Sequence, residues 1–231
     1  MLAAGAGARN PSMDRRFAMA CLAASFLAPS AALASPHRVP ATDALLMLDS
    51  YLALPPAERD RFSFVYRVMR DDKPAADARA TLVTADGARI PFVIEPDGTI
   101  ANLPTLEQLK HKAMFETDGR ELSFLLEPRA TIAPSTRIAV GDLVQAMAQL
   151  NAAIARFAGA YSGQVDKLTA AFFPDAGEGQ AVLADGSSRP LPTFKFKALG
   201  KTAYFEQRRA PGAVAVTFAQ PPSRIILSPP P

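Results

Sequence analysis

The longest regular pattern of apolar residues lies in residues 141–159. Large apolar side chains recur there at intervals of three and four, which places them on one face of a helix. They are Leu143, Met147, Leu150, Ile154 and Phe157, with Val144 and Ala158 beside them. Asp142 puts a negative charge at the positive end of the helix dipole, and Gly159 is a typical helix end. The pattern predicts one long amphipathic helix.

The segments on either side of this helix show shorter patterns. Alternating apolar residues predict strands, and Asp86-Gly87 predicts the turn of a hairpin. The predicted helices are 44–54, which begins after Thr42 and ends at Pro55-Pro56, and 106–115. The predicted strands are 61–70, 79–84, 89–95, 121–126, 166–173, 180–184 and 194–197, with a turn at Asp118-Gly119. Residues 35–40 and 229–231 are predicted to be irregular.

The order of these elements repeats along the chain. Asp43, Leu45, Leu48 and Tyr51 lie 99 residues before Asp142, Val144, Met147 and Leu150, and Asp185-Gly186 follows a strand as Asp86-Gly87 does. Tyr204-Phe205-Glu206 matches Met114-Phe115-Glu116. We therefore expect an α+β fold made of two similar helix-plus-antiparallel-sheet units, residues 41–134 and 140–229, that arose by internal duplication. Chance similarity between alanine-rich segments with Asp-Gly turns is the alternative, and whether the sheets join or form separate lobes stays open.

This layout resembles that of exported inhibitor and binding modules, such as the β-lactamase inhibitory protein and paired PepSY-type domains. The resemblance is one of architecture alone, and no residue motif carries it. It implies a binding role.

The first 34 residues have the pattern of a secretory signal peptide. Arg15 and Arg16 precede an uncharged apolar run of about a dozen residues, and small residues up to Ala34 predict cleavage after that position. The run is too short to span a bilayer. Met13 is a candidate start. Cys21, the single cysteine, follows too few apolar residues to suit a lipoprotein signal, so a mature chain without disulfides in the periplasm or outside the cell is expected.

Charge excludes few partners. The chain has 25 basic and 22 acidic residues, and outside residues 1–34 the counts are 22 and 21. No run of lysine and arginine predicts binding to nucleic acid or to anionic lipid. Phe194, Lys195, Phe196 and Lys197 alternate aromatic and basic residues, which can indicate single-strand nucleic-acid binding. A strand with phenylalanine facing inward and lysine outward explains the same pattern, and an exported protein rarely meets nucleic acid.

Residues for catalysis or metal binding are sparse. His37 lies in the irregular start, and His111 with Glu107 forms at most a weak i, i+4 pair on the predicted helix. Two scattered histidines and the absence of a Gly-x-Ser-x-Gly motif leave few candidates for the base of a serine nucleophile, and Ser162-Gly163 is predicted to be a loop. A Ser-Lys dyad stays open, although no Ser-x-x-Lys is present outside residues 1–34. The carboxylate pairs Asp71-Asp72 and Asp175/Glu178, and the basic pair Arg208-Arg209, are predicted turn residues. The sequence predicts no catalytic, cofactor-binding or metal-binding residue.

These observations favour an exported, non-enzymatic protein that binds a partner protein or envelope component through a sheet face or a groove between the halves. Two alternatives remain open. The phenylalanine-rich strands fit a carrier of an apolar small molecule or lipid, which needs an enclosed cavity. A hydrolase that uses carboxylates alone needs two acids roughly 5 to 10 Å apart in a cleft.

Overall fold

The computed structural model describes residues 37–117, 122–159, 166–196 and 199–231. Over these ranges the fold is mostly antiparallel β-sheet with few helices, and its strands form three sheets. The predicted signal peptide, its cleavage after Ala34, the Met13 start and the Cys21 alternative all lie outside the described residues. The turn at Asp118-Gly119, Ser162-Gly163 and Lys197 also lie outside them.

The described elements comprise four α-helices and fifteen short strands. The helices are α1 (Ala41–Ala44), α2 (Leu48–Ala53), α3 (Leu106–Lys110) and α4 (Val140–Ala158). The strands are β1 (His37–Pro40), β2 (Phe62–Arg70), β3 (Lys73–Pro74), β4 (Ala80–Val83), β5 (Arg89–Pro91), β6 (Met114–Thr117), β7 (Ser123–Ala130), β8 (Arg137–Ala139), β9 (Ala170–Phe173), β10 (Gly179–Leu183), β11 (Ser188–Pro190), β12 (Thr193–Phe196), β13 (Gly200–Glu206), β14 (Ala213–Phe218) and β15 (Ile226–Ser228).

Helix α4 confirms the long helix predicted from the apolar spacing. The predicted face is buried in the main core at Leu143, Met147, Leu150 and Ile154, and Phe157 packs against it partly buried. A polar side chain ties the opposite side of the helix to β2, because the Gln149 side chain accepts a hydrogen bond of 2.8 Å from the Arg61 backbone N–H. The helix is therefore fixed between the core and the start of the longest strand.

The helix predicted at 44–54 is broken in two. Helix α1 ends at Ala44, and α2 begins only at Leu48. Met47 adopts a left-handed backbone with φ of 66°, which interrupts the helical hydrogen bonds. The break puts the Leu46 carbonyl in position to accept a 2.7 Å hydrogen bond from the Tyr66 hydroxyl, whose pKa is raised by burial.

Two further predictions about local structure are wrong. The helix predicted at 106–115 ends at Lys110, and Met114 and Phe115 belong to β6 instead. The start of the described chain, predicted to be irregular, is strand β1. It pairs with β6 along its whole length, with Val39 opposite Phe115. Both errors have one cause, because β1 and β6 are stabilised by pairing between residues far apart in the sequence.

The seven-stranded sheet forms the centre of the molecule, with strand order β12-β13-β9-β15-β7-β2-β3. Successive residues of a strand point to opposite faces. On the inner face, residues such as Phe64, Phe173 and Phe205 join the main hydrophobic core together with residues of all four helices. Phe172, Tyr204 and Ile226 belong to a second buried cluster, which contains no helical residue. The sheet therefore has an inner face covered by helices and a different outer face.

Two four-stranded sheets complete the fold and pack against the inner face. Their strand orders are β1-β6-β4-β5 and β8-β14-β10-β11. Aromatic contacts connect them to the central sheet, since the ring centroids of Phe115 and Phe124 are 4.7 Å apart, as are those of Phe173 and Phe218. Each of these sheets has at one edge a strand that runs straight into a helix, and at the other a hairpin strand.

The fold corrects the predicted balance of helix and sheet. Helices α1 to α3 have four, six and five residues, so α4 is the long helix of the described chain. The question of one sheet or two lobes is also answered, because β15 pairs with both β7 and β9. The strands of the two halves thereby form one continuous sheet.

We expect Gly98→Ala to destabilise the protein much more than Gly87→Ala. Both glycines have a left-handed φ, +82° and +85°, which costs an alanine about 1 kcal/mol or more. A Cβ at Gly98 would lie only 2.6 Å from the Val68 carbonyl oxygen, whereas nothing lies within 4 Å at Gly87. Urea unfolding measures the two losses, and equal losses would contradict the close contact.

Candidate binding face

The outer face of the seven-stranded sheet carries a row of four aromatic rings, which we call the aromatic ladder. Its members are Phe172, Phe194, Phe196 and Tyr204. The ring centroids of Phe194 and Phe196 are 4.8 Å apart, those of Phe196 and Phe172 4.9 Å, and those of Phe172 and Tyr204 5.1 Å. The Arg209 guanidinium lies over the Tyr204 ring at 5.8 Å. The ladder is thus a continuous row of ring contacts with a cation at one end.

The other end of the ladder is open to solvent. Phe172 and Tyr204 are buried, but Phe194 is 40% exposed on edge strand β12. Cross-strand register places Phe194 opposite Thr202 and Phe196 opposite Gly200, on the same face as Tyr204. The predicted arrangement of inward phenylalanines is therefore wrong for this strand, since both rings lie on the face away from the helices.

A cluster of charged residues occupies the same face on β2 and β7, and we call it the Glu127 cluster. Glu127 is 6% exposed, and its Oε1 atom is 2.5 Å from Arg129 Nε and 3.0 Å from Arg224 Nε. Arg67 Nη2 lies 3.7 Å from the same oxygen and 3.1 Å from Asp97 Oδ2. Three guanidinium groups thus surround two carboxylates, and the cluster carries a net positive charge.

The Glu127 cluster shifts the pKa of two members. Burial lowers the pKa of Arg67 below its ordinary value, and the positive charges of Arg224 and Arg129 act in the same direction. Burial acts to raise the pKa of Asp97, but hydrogen bonds from Thr99 and the charges of Arg67 and Arg129 outweigh it and hold the value below normal. A carboxylate that acts as general acid needs a raised pKa, whereas the pKa of Asp97 is lowered.

Two further carboxylates are buried beneath arginines. Glu206, at the end of β13, pairs with Arg208 and Arg209, the latter at 2.8 Å. The predicted basic pair lies in a turn, Gln207–Arg209, and both of its side chains pair with Glu206. Glu116 on β6 pairs with Arg38 on β1 at 2.6 Å and with Arg89 on β5. It connects strands across one of the four-stranded sheets.

The remaining residues weighed from the sequence do not come together. His37, His111 and Glu107 are exposed, and so are Asp71 and Asp72. Asp71 has a left-handed backbone in the turn that follows β2. Asp175 and Glu178 are exposed in a turn as well, and Glu178 lies 3.6 Å from Lys201. Within the described ranges, no group of three or more His, Cys, Asp or Glu residues could hold a metal ion.

Two depressions on the described surface are small. One, of about 210 Å³, is lined by α2 and α3 residues that include Asp49 and Lys110. Another, of about 270 Å³, lies between the end of α2 and α4 beside Glu58 and Arg156. Both are open at the surface. No helix in the described part of the chain is long and apolar enough to cross a membrane.

Sequence reasoning missed the Glu127 cluster, although part of its signal was present. Arg67 shares the strand face of Ser63 and Val65, and Glu127 and Arg129 are two residues apart on one strand, which puts opposite charges on one face. The contribution of Arg224 has no local signal, because it comes from a residue 97 positions from Glu127.

Comparison with known proteins adds no family to this description. No protein-family model matches the chain, and neither the search of curated proteins nor the search of solved structures found a match.

We expect Glu127→Gln to lower the free energy of unfolding by about 3–5 kcal/mol, because it leaves the buried Arg67 and the partly buried Arg129 and Arg224 with less compensating charge. The matched control is Glu58→Gln, which breaks the surface ion pair with Arg156, a pair whose side chains are 52% and 62% exposed. Such a pair contributes about 0–1 kcal/mol. Chemical unfolding of both variants measures the difference, and similar losses would show that the Glu127 cluster is not a major stabilising contact.

We expect the effect of Glu116→Gln to depend on pH. Hydrogen bonds from Arg89 above all, with Arg38, hold the pKa of Glu116 below its ordinary value. The stabilisation is therefore complete above the unfolded pKa of about 4.3 and is lost as the pH falls through the lower folded value. The variant should melt below the wild type at pH 7, and the gap should close toward pH 3. A gap that stays constant over this range would contradict the assignment.

Proposed function

We propose that this protein is exported and acts by binding a partner protein on the outer face of its seven-stranded sheet, without catalysing a reaction. The proposal rests on the aromatic ladder and the Glu127 cluster, which share this face. Export is supported by the signal-peptide pattern of residues 1–34.

The single observation that carries the proposal is the exposure of Phe194. Phe194 is 40% exposed and extends an apolar row of three more rings, in a cluster that contains no helical residue among those described. Aromatic residues and arginine are enriched in the cores of protein interfaces, where a partner excludes water from them. Phe172 and Tyr204 are already buried, so a partner would chiefly remove Phe194 from water, which is favourable at roughly 25 cal/mol per Å² of apolar surface.

The charges on this face favour an acidic partner. The Glu127 cluster contains Arg67, Arg129 and Arg224 against two carboxylates. Complementary charge steers association and opposes binding of basic partners. The arginines are held by Glu127, so they are already oriented before a partner arrives and less conformational entropy is lost on binding.

The two alternative functions receive less support. A carrier needs an enclosed apolar cavity of several hundred Å³, and the two depressions described above are smaller and open. A hydrolase that uses carboxylates alone needs one protonated acid, and the pKa of Asp97 in the Glu127 cluster is lowered.

We also infer that the two halves arose by duplication of one unit. Backbone hydrogen bonds recur at an offset of 99 residues: Phe92 N–H to Ala80 O at 2.9 Å and Leu191 N–H to Gly179 O at 2.8 Å. The two hairpin turns also correspond, because Gly87 and Gly186 both have φ of 85°. One sequence match is wrong. Strand β13, with Tyr204 to Glu206, lies in the seven-stranded sheet, so the counterpart of β6 is β14.

We expect Phe194→Ala to abolish capture of the partner from envelope extract by the tagged protein. The matched control is Leu46→Ala, because Leu46 is 39% exposed and lies away from the outer face, between α1 and α2. Mass spectrometry of the retained proteins should show one protein at stoichiometric yield with the wild type and with the control. We expect this retained protein to be nearly absent when the tagged Phe194→Ala variant is used.

The outcome that contradicts this function is retention of the same protein, at the same yield, by Phe194→Ala. Loss of the protein from both variants would place the contact elsewhere and would also count against the outer face. Thermal melting of each variant confirms that the comparison is between folded proteins.

A further inference from the structure

Proline lies in four of the six edge strands of the three sheets in the described part of the chain, and β8 and β12 are the two exceptions. Six edge strands bound the sheets in the described part of the chain, and four of them contain proline: Pro40 in β1, Pro74 in β3, Pro91 in β5 and Pro190 in β11. Proline at an edge prevents pairing with another chain. The fifth edge, β8, has three residues and runs directly into α4. The sixth edge, β12, has four residues and no proline.

Among the described residues, the backbone groups on the outer side of β12 have no hydrogen-bond partner. The Tyr204 backbone N–H donates a 3.0 Å hydrogen bond to the Pro192 carbonyl, and the register continues unbroken to Phe196 opposite Gly200. In an antiparallel pair, hydrogen-bonded and non-hydrogen-bonded residues alternate. Phe194 and Phe196 therefore bond to β13, and the backbone N–H and C=O of Thr193 and Lys195 point away from the sheet.

The side chains of β12 define what a neighbouring strand would need. Phe194 and Phe196 lie on the outer face, so an added strand would place apolar residues beside them. Lys195 lies on the other face, opposite Lys201. Like charges directly opposite one another are unfavourable. Lys201 has Glu178 at 3.6 Å, whereas Lys195 has no carboxylate partner among the described residues.

We propose that β12 accepts an extended segment of the partner protein as an eighth strand, and that this segment alternates apolar and acidic residues. The proposal rests on the proposed function and adds the mode of binding. Main-chain hydrogen bonds from Thr193 and Lys195 supply affinity, and the alternating side chains supply specificity. The acidic residues pair with Lys195, and the apolar residues extend the aromatic ladder.

The test uses a fluorescein-labelled synthetic peptide of alternating valine and glutamate, with binding followed by fluorescence anisotropy. We expect saturable binding to the wild type, and about tenfold weaker binding to Lys195→Pro than to Lys195→Ala, since a hydrogen bond of about 1.4 kcal/mol corresponds to that factor. Lys195→Ala removes the charge alone, whereas Lys195→Pro also removes the outward N–H. That N–H makes no bond to β13, so the proline leaves the sheet intact.

Three results would overturn this mode of binding. One is the absence of saturable binding by the alternating valine-glutamate peptide, and another is equal affinity of the proline and alanine variants. The third is a concentration-dependent dimer in sedimentation velocity that Lys195→Pro abolishes, because the edge would then pair with a second copy of this chain. An alternating valine-lysine peptide should bind more weakly than the glutamate peptide.

Two further measurements complete the test. If Lys195→Pro does not fold, a valine-glutamate peptide that is N-methylated at alternate residues is used with the wild-type protein instead. This peptide should bind about tenfold more weakly than the unmethylated one. Capture of the partner from extract separates the two proposals. A partner lost with Phe194→Ala but retained with Lys195→Pro supports binding on the outer face and overturns strand addition.

Discussion

The pairing of β7 with β15 makes one central sheet out of strands from the two halves of the chain. Arg129 lies opposite Ile226, and the Ala130 N–H donates to the Ile225 carbonyl at 3.0 Å. The paired segment of β7 and β15 is short, so the side chains beside it matter for holding the two strands together. Glu127 lies beside it and holds Arg224, which precedes β15, as well as Arg67 of β2. A buried carboxylate needs such partners, and three arginines from three segments satisfy it only when those segments are correctly aligned.

The two faces of that sheet are used differently because strand residues alternate. The inner face gives its phenylalanines to a core shared with the helices and both four-stranded sheets. Among the described residues, the apolar cluster on the outer face contains no helical residue, and Phe172 and Tyr204 are buried there while Phe194 is 40% exposed. A protein that needed only to fold could have used polar residues on the outer face, as most half-exposed sheets do. The exposure of Phe194 there is the observation on which the proposed binding role rests.

Regular periodicity was readable from the sequence, and pairing between distant segments was not. The apolar spacing of α4, the alternation of β2 and the Asp86-Gly87 hairpin turn are local signals, and each predicted element is present. Strands β1 and β8 have four and three residues, so each offers one or two side chains per face and no detectable period. Met47 shows no helix-breaking signal, because its left-handed backbone is imposed by contacts such as the hydrogen bond from Tyr66 to Leu46. The aromatic residues of β12 are visible in the sequence, but the side of the sheet on which they lie depends on the order of the strands. The Glu127 cluster needed the same tertiary information.

Strand β15 follows β7 by about 100 residues, which has a consequence for folding. Strands β2 and β7 can pair before the second half of the chain is available, but β7 keeps one edge unpaired until β15 is present. During that interval a strand edge bearing Leu125 and Arg129 is open to other nascent chains. Pairing over such a sequence separation is also slow. Strand β15 therefore closes the sheet late, and the chain that lacks it is more exposed to aggregation.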